Sequence, residues 1–402
     1  MNAVGIDVSK GKSMVAILRP FGEVVASPFE MGHTGEELSA LAKRLLALDG
    51  ETKVVMECTG SYYLPVAHAL QEAGLFVSAV HAKLIFSFDN DSIRRKKTDK
   101  ADAIKIANYT LSKWLKLPPY IPEEETRKLL KICSRQYSKY GKLKTMLKNN
   151  FIALTDHTFP GVNELFTSPV RTDGHQKWLD FAAKFWHCEC VWTLSEKEFT
   201  ERYRRWCKRE GYRFNERKAK AIYMSALGHY CVLPKNESTE LLIKQAAIQL
   251  TSISIAQATM ASEMLRLAQM LPEWPVVSTF YGVGTILGPL LMAEIGDVRR
   301  FEKKGSLVQF AGLCDEPYQS GKFNATGLPI SKKGSPHLRK TLFLVMECIL
   351  KNKPENDPVF QFLDRKRSEG KHFYNYMTSS SAKFLRIYYA RVKRHLSTLD
   401  EQ

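Results

Sequence analysis

Two hydrophobic periods alternate along the first eighty residues. Apolar side chains crowd residues 4–8 and 13–18, on either side of the polar stretch 9–12, which predicts two strands joined by a tight hairpin. Residues 23–28 predict a third strand. At 34–48 the spacing changes: Leu38, Leu41, Ala42, Leu45 and Leu46 recur at intervals of three and four, as on one buried helix face. A short strand at 53–56 ends on Glu57. Residues 62–73 are predicted helical and stopped by Gly74, and 75–80 form another strand. Three strands, then helix, strand, helix and strand, predict a mixed sheet with helices packed on it.

The pattern then becomes helical. Apolar positions 129, 133, 137, 140, 143, 147, 151 and 154 keep a three-to-four spacing through a stretch, 126–155, that holds eight Lys or Arg and no acid. This predicts a long amphipathic helix with a cationic face. A second long helix is expected at about 240–271. The two read either as an antiparallel arm or as ordinary bundle helices. Between them, 161–239 holds Trp178, Trp186, Trp192 and Trp206, four of the chain's six tryptophans, and a basic run from Arg202 to Lys220. Buried core is the commoner role for tryptophan. The expected organisation is therefore an α/β domain at 1–122, a long-helix arm at 123–160 and 240–271, an inserted helical module at 161–239, and a C-terminal helical domain at 272–402.

Charge narrows the partners. The formal net charge of +17 on 402 residues points to a polyanion, because Lys and Arg gain affinity by displacing counterions from phosphates. Residues 274–293 run without a charge and mimic a membrane span, but Pro275, Gly282, Gly284, Gly288 and Pro289 interrupt them, so packed helices around a turn are expected instead. No secretory signal is read at the start, and a cytoplasmic, nucleoid-associated protein is expected. The eight cysteines are read as free thiols. His187, Cys188, Cys190, Cys207, His229 and Cys231 lack the paired spacing of common zinc sites, and no zinc is expected.

Four carboxylates carry the candidate chemistry. Asp7 interrupts an apolar strand, where an ionised carboxylate is costly without a cation. Glu57 ends another strand, where sites on such sheets collect. Asp99 and Asp102 open a predicted helix on one face, with Thr98 as its cap. Each alone has a plain reading as a turn, surface or helix-start acid. Together they form a hard oxygen set for one or two Mg2+ ions, with Mn2+ a plausible substitute. Two such ions suit phosphodiester transfer.

The segments Gly5-Ile6-Asp7-Val8-Ser9-Lys10, Val55-Met56-Glu57-Cys58-Thr59-Gly60 and Lys97-Thr98-Asp99-Lys100-Ala101-Asp102-Ala103 resemble the DEDD insertion-sequence transposases related to the pilin-gene invertase. In that family the N-terminal domain is RuvC-like, an α/β RNase H-like fold. Near the C-terminus, Tyr281-Gly282-Val283-Gly284 and Ala293-Glu294-Ile295-Gly296-Asp297 resemble a helix-hairpin-helix, whose glycines let backbone N–H groups approach phosphate. Residues 309–313, Gln319-Ser320-Gly321-Lys322, Ile330-Ser331-Lys332-Lys333-Gly334 and Leu338-Arg339 follow the family's C-terminal transposase domain. Ser320 matches its catalytic serine. From the residues themselves, Ser320 is expected in a loop with five Lys or Arg and no acid between Pro317 and Met346.

The resemblance implies a covalent phosphoserine–DNA intermediate. It also implies assistance from Asp7, Glu57, Asp99 and Asp102, contributed within the chain or by a second subunit, and a homodimer or homotetramer. A non-coding guide RNA is implied as a further partner, reading sequence by base pairing. Arg135, Lys142, Gly282, Gly284, Lys322, Lys332, Lys333 and Arg339 are the expected nucleic-acid contacts. The family is usually shorter than this chain, which makes 161–239 an addition or a lineage variant. The rival readings are a RuvC-like hydrolytic nuclease, a site-specific invertase, a sugar-kinase-like ATPase and a catalytically inert DNA-binding protein. The ATPase reading lacks a glycine-rich phosphate loop after a strand.

Overall fold

The computed structural model describes residues 1–401 apart from Thr59, 89–97, Thr172, 315–318, 321–322 and 325–328. The chain divides into two units, Met1–Glu123 and Glu124–Gln402.

The first unit is built on a five-stranded sheet. Its strands are β1 (Asn2–Val8), β2 (Lys12–Leu18), β3 (Val24–Gly32), β4 (Thr52–Glu57) and β5 (Phe76–Val80), in the order β3-β2-β1-β4-β5. The first three run antiparallel, and β1, β4 and β5 are parallel. β3 is longer than the sequence pattern suggests, and its register slips between Phe29, paired with Val15, and Ala26, paired with Ile17. Pro28 lies in that slip. Proline has no N–H for the ladder, so an edge-strand bulge accommodates it. One face of the sheet packs on α1 (Gly35–Leu46) and α2 (Tyr63–Glu72). Val4, Ile6, Val15, Ile17, Val54 and Met56 meet Leu41, Leu45 and Val66 there.

The short α3 (Ala82–Ser87) precedes α4 (Asp99–Ser112), which covers the other face. There Val55 and Val80 meet Ile106 and Tyr109. Gly5 makes this approach workable. A Cβ at position 5 would stand 2.2 Å from the Ala103 carbonyl oxygen and 2.3 Å from the Ala107 nitrogen, both backbone atoms. Gly5→Ala is therefore expected to push α4 off the sheet and to destabilise this unit by about 1–3 kcal/mol, as overpacking does. Chemical denaturation of the variant checks this; an unchanged transition midpoint would show that the helix can retreat at no cost.

In the second unit α5 (Glu125–Asp156) and α10 (Glu237–Gln269) are each over thirty residues long and run antiparallel. Arg127 meets Glu273 near one end, a Cβ on Gly141 would touch Gln257 midway, and Phe151 shares a core with Ala247 and Leu250 near the other end. The pair joins two separate cores. Its far end packs with α6 (Lys177–Lys184), α7 (Glu189–Trp192), α8 (Glu196–Arg209) and α9 (Glu216–Gly228). Phe181 is central, with ring centroids 4.8 Å from Phe185, 5.1 Å from Phe166 and 5.8 Å from Trp206. Trp178, Trp186 and Trp206 are buried, whereas Trp192 is exposed. The ring nitrogens of His187 are taken by backbone, Nε2 by the Leu233 carbonyl and Nδ1 by the Glu189 N–H. Cys231 donates to the Thr158 carbonyl.

The near end packs with the C-terminal helices α11 (Trp274–Val277), α12 (Leu287–Ile295), α13 (Lys304–Phe310), α14 (Pro336–Asn352), α15 (Pro358–Ser368) and α16 (Phe373–Asp400). The uncharged stretch 274–293 is thus split between α11, a turn and α12. Among the described residues no helix is long and apolar enough to cross a membrane.

Candidate active site and nucleic-acid contacts

Asp7 and Glu57 stand at the C-terminal ends of neighbouring parallel strands. The β1–β4 register pairs Ile6 with Met56, one residue before each acid. Side chains alternate faces along a strand, so Asp7 shares the face of Gly5, and Glu57 that of Val55. This is the face that α4 covers. The N-terminus of that helix brings Asp99 and Asp102, and Thr98 caps it by accepting from the Ala101 N–H at 3.2 Å. Asp99 also lies near the β1–β2 hairpin. The Lys12 ammonium is held charged chiefly by its hydrogen bond to Glu30, and Asp99 adds to that pull.

All four carboxylates therefore collect on one face, toward one end of the sheet. Asp99 is exposed and the other three are partly buried. Their donor chemistry, carboxylate oxygen throughout, fits a hard divalent ion. Among the described residues, no three His, Cys, Asp or Glu side chains stand close enough together to hold a metal. The set shares a location without forming a closed ligand cage.

Ser320 lies in the second unit. The sequence suggests a loop, whereas the backbone forms a small antiparallel ladder of β6 (Gln319–Ser320) and β7 (Phe323–Asn324), with Ser320 opposite Phe323. Both strands are two residues long, too short for a period-two signal. Lys322, expected to bind nucleic acid, lies outside the described residues. The segment is anchored at its base by backbone bonds from Ser331 N–H to the Cys314 carbonyl at 2.8 Å and from Ser335 N–H to the Phe310 carbonyl at 3.0 Å. Gly334 permits this. A Cβ there would stand 2.2 Å from the Phe310 oxygen. Arg339 clamps the same base by donating to the Ala311 carbonyl at 3.0 Å. Lys332 and Lys333 beside it are exposed, and Lys332 takes a left-handed backbone at φ 53°.

Two further residues, neither among the expected contacts, belong to this base. Ser335 caps α14 and donates to Glu294 Oε2 at 2.8 Å. Glu294, 3% exposed, also receives Arg135 Nε at 3.2 Å. Arg135 is thus engaged by a carboxylate of α12 while remaining partly exposed, and Lys142 on the same helix is exposed. The glycine turn before α12 divides its duties. Gly282, at φ 74°, would drive a Cβ to 2.8 Å from the Val345 oxygen, so its freedom serves packing on α14. Gly284 is open to solvent. Only the four-residue α11 precedes this turn.

Comparison with known proteins finds two separate matches, the first of which runs past the first unit into α5. Residues 4–160 match a transposase model, that of DEDD transposases of the IS110 type. Residues 275–359 match the transposase IS116/IS110/IS902 family. Over 140 residues the chain is 24% identical to the "Insertion element IS110 uncharacterized 43.6 kDa protein" of Streptomyces coelicolor. That alignment covers 35% of this chain and 34% of the relative, about a third of its length.

Proposed function

From a chain that carries both transposase domains of the IS110 family, we propose an insertion-element transposase that cuts and rejoins DNA through a covalent phosphoserine link. The observation that carries the reading is the pair of transposase matches, residues 4–160 and 275–359, which contain the four carboxylates and Ser320. Ser320 Oγ attacks a scissile phosphorus. The Oγ–P bond forms, the P–O bond to the leaving sugar breaks, the serine proton passes to a base and the sugar oxygen leaves as a hydroxyl. Attack by a hydroxyl of a new strand reverses these events and frees the serine. The link conserves the bond, so no nucleotide hydrolysis is needed.

Asp7, Glu57, Asp99 and Asp102 would hold a divalent ion, Mg2+ or Mn2+, which supplies charge stabilisation for the phosphoryl oxygens. Lys332, Lys333 and the open Gly284 turn are the protein's own cationic and backbone contacts to the strand. Two duplexes must be held at once, which calls for a homodimer or homotetramer. An element-encoded RNA is the proposed guide, with DNA ends and target as the other partners.

The test incubates the full chain with element-end DNA and its transcript, with Mg2+ or with EDTA, then denatures the mixture. A protease-sensitive protein–DNA adduct that forms only with metal is the expected result. Metal-dependent nicking with no adduct would replace this reading with a RuvC-like hydrolytic nuclease.

A further inference from the structure

Between α6 and α8, in the segment that neither transposase domain covers, lies an open cleft of about 620 Å³. Lys184 closes one wall. Arg202, Arg205 and Arg209 form the other. Their spacing on α8 is i, i+3 and i+7, so the three guanidinium groups share one stripe. Glu198 is the one acid in the lining, and it is bound up in the cap of its own helix, where Ser195 donates to it from N–H and Oγ and holds its carboxyl below the usual range. Phe185 and Trp206, both nearly fully buried, make the floor.

Folding makes only slight use of this stripe, through Arg202, which lies 5.9 Å over the Phe185 ring, and Arg209, which pairs with Glu210. Like charges three and four apart on a helix oppose one another and weaken it slightly. Among the described residues, Lys184, Arg202 and Arg205 have no salt-bridge partner, and Arg209 meets only the exposed edge of Glu210. The apolar face of the same helix, with Phe199, Tyr203, Trp206 and Cys207, already supplies the packing. What remains is a concentrated positive field above a low-dielectric floor, which draws in anions. Arginine forks pair with phosphate oxygens two at a time. A row of three, about five ångströms apart along a helix, suits a repeating anion better than a single one. The buried rings offer no stacking surface, so base recognition is not built in.

We propose that this cleft binds the phosphodiester backbone of a nucleic-acid strand, independent of sequence. It deepens the transposase reading by adding a nucleic-acid contact outside both matched domains, but it stands on binding and not on strand transfer. The chemistry is common to RNA and DNA, and separate arms of the experiment tell them apart.

The full chain is titrated against a fluorescent RNA hairpin, a DNA duplex and a DNA single strand, each of arbitrary sequence, at several salt concentrations. Arg202→Gln/Arg205→Gln/Arg209→Gln is compared with a control that removes three exposed cations of the same module away from the cleft, Lys208→Gln/Arg217→Gln/Lys220→Gln. Losing three phosphate contacts should weaken binding at least ~10-fold near 0.1 M salt and flatten the log–log salt slope by about 2–3. The control should change both far less. A loss on RNA alone, or on DNA alone, assigns the strand. Equal loss in both triple variants, or none in the cleft variant, overturns the proposal. Circular dichroism checks that each variant is folded. Binding is read separately from adduct formation, so a failed recombination chemistry and a failed cleft give different results.

Discussion

Ser320→Ala should leave no covalent protein–DNA adduct under conditions where the unaltered chain forms one. In serine enzymes, removing the nucleophile alone costs on the order of 10^6 in turnover, because nothing else can form the covalent link. Folding should be nearly untouched. The position lies in a two-residue strand, and strand propensities differ by no more than about 1 kcal/mol. The base from Phe310 to Ser335 is held by backbone atoms and Arg339. Ser320→Cys is the informative companion. A thiolate is the stronger nucleophile but presents a larger, softer atom to phosphorus, and recovery of a trace of adduct would place the attacking atom at this position. The measurement is a denaturing gel with labelled DNA beside a melting curve. An adduct of normal yield from Ser320→Ala would remove this residue from the mechanism and send the search to another hydroxyl.

The sheet was legible because each strand carries its own period, and the helix over Asp99 and Asp102 because Thr98 and the two acids mark its start. What the carboxylates share was legible only in part. Alternation puts Asp7 on the face of Gly5, but that this face receives α4 depends on Gly5 meeting Ala103 and Ala107, about a hundred residues away. Long-range pairing hid the rest. Arg135 reads as one more cation on a basic helix, and its partner Glu294 is 159 residues distant. Gly334 reads as a loop glycine, yet the close approach of Phe310 is what demands it. The cleft of α6 and α8 was half visible. The basic run from Arg202 to Lys220 stands out in the sequence, but local spacing cannot add Lys184 from another helix. Charge is a local count; pairing and convergence are properties of the packed chain.

Glu273→Ala is expected to be the most destabilising single change in the second unit. Glu273 is 1% exposed and Arg127 is 6% exposed. The two form a bidentate pair, with Nη2 to Oε2 at 2.9 Å and Nη1 against Oε1, while Arg127 Nε turns to Glu124 at 3.1 Å. Removing the carboxylate leaves a guanidinium in the protein interior with one partly exposed acid as partner, a loss of about 3–5 kcal/mol. At about 2 °C per kcal/mol for a unit of this size, the melting transition should fall by roughly 6–10 °C. The double variant Arg127→Met/Glu273→Leu separates two meanings of the pair. Apolar side chains of similar volume avoid the desolvation cost of both ions, so the double variant should melt near or above the unaltered protein. If it does, the pair is not there for stability. Its position then matters: Arg127 opens α5 and Glu273 links α10 to α11, so the pair sets how the long helices enter the C-terminal core. A double variant that melts normally but forms less adduct would show that the buried charges are retained for orientation. If the double variant is as unstable as Glu273→Ala, the ion pair itself contributes net stability and that account fails.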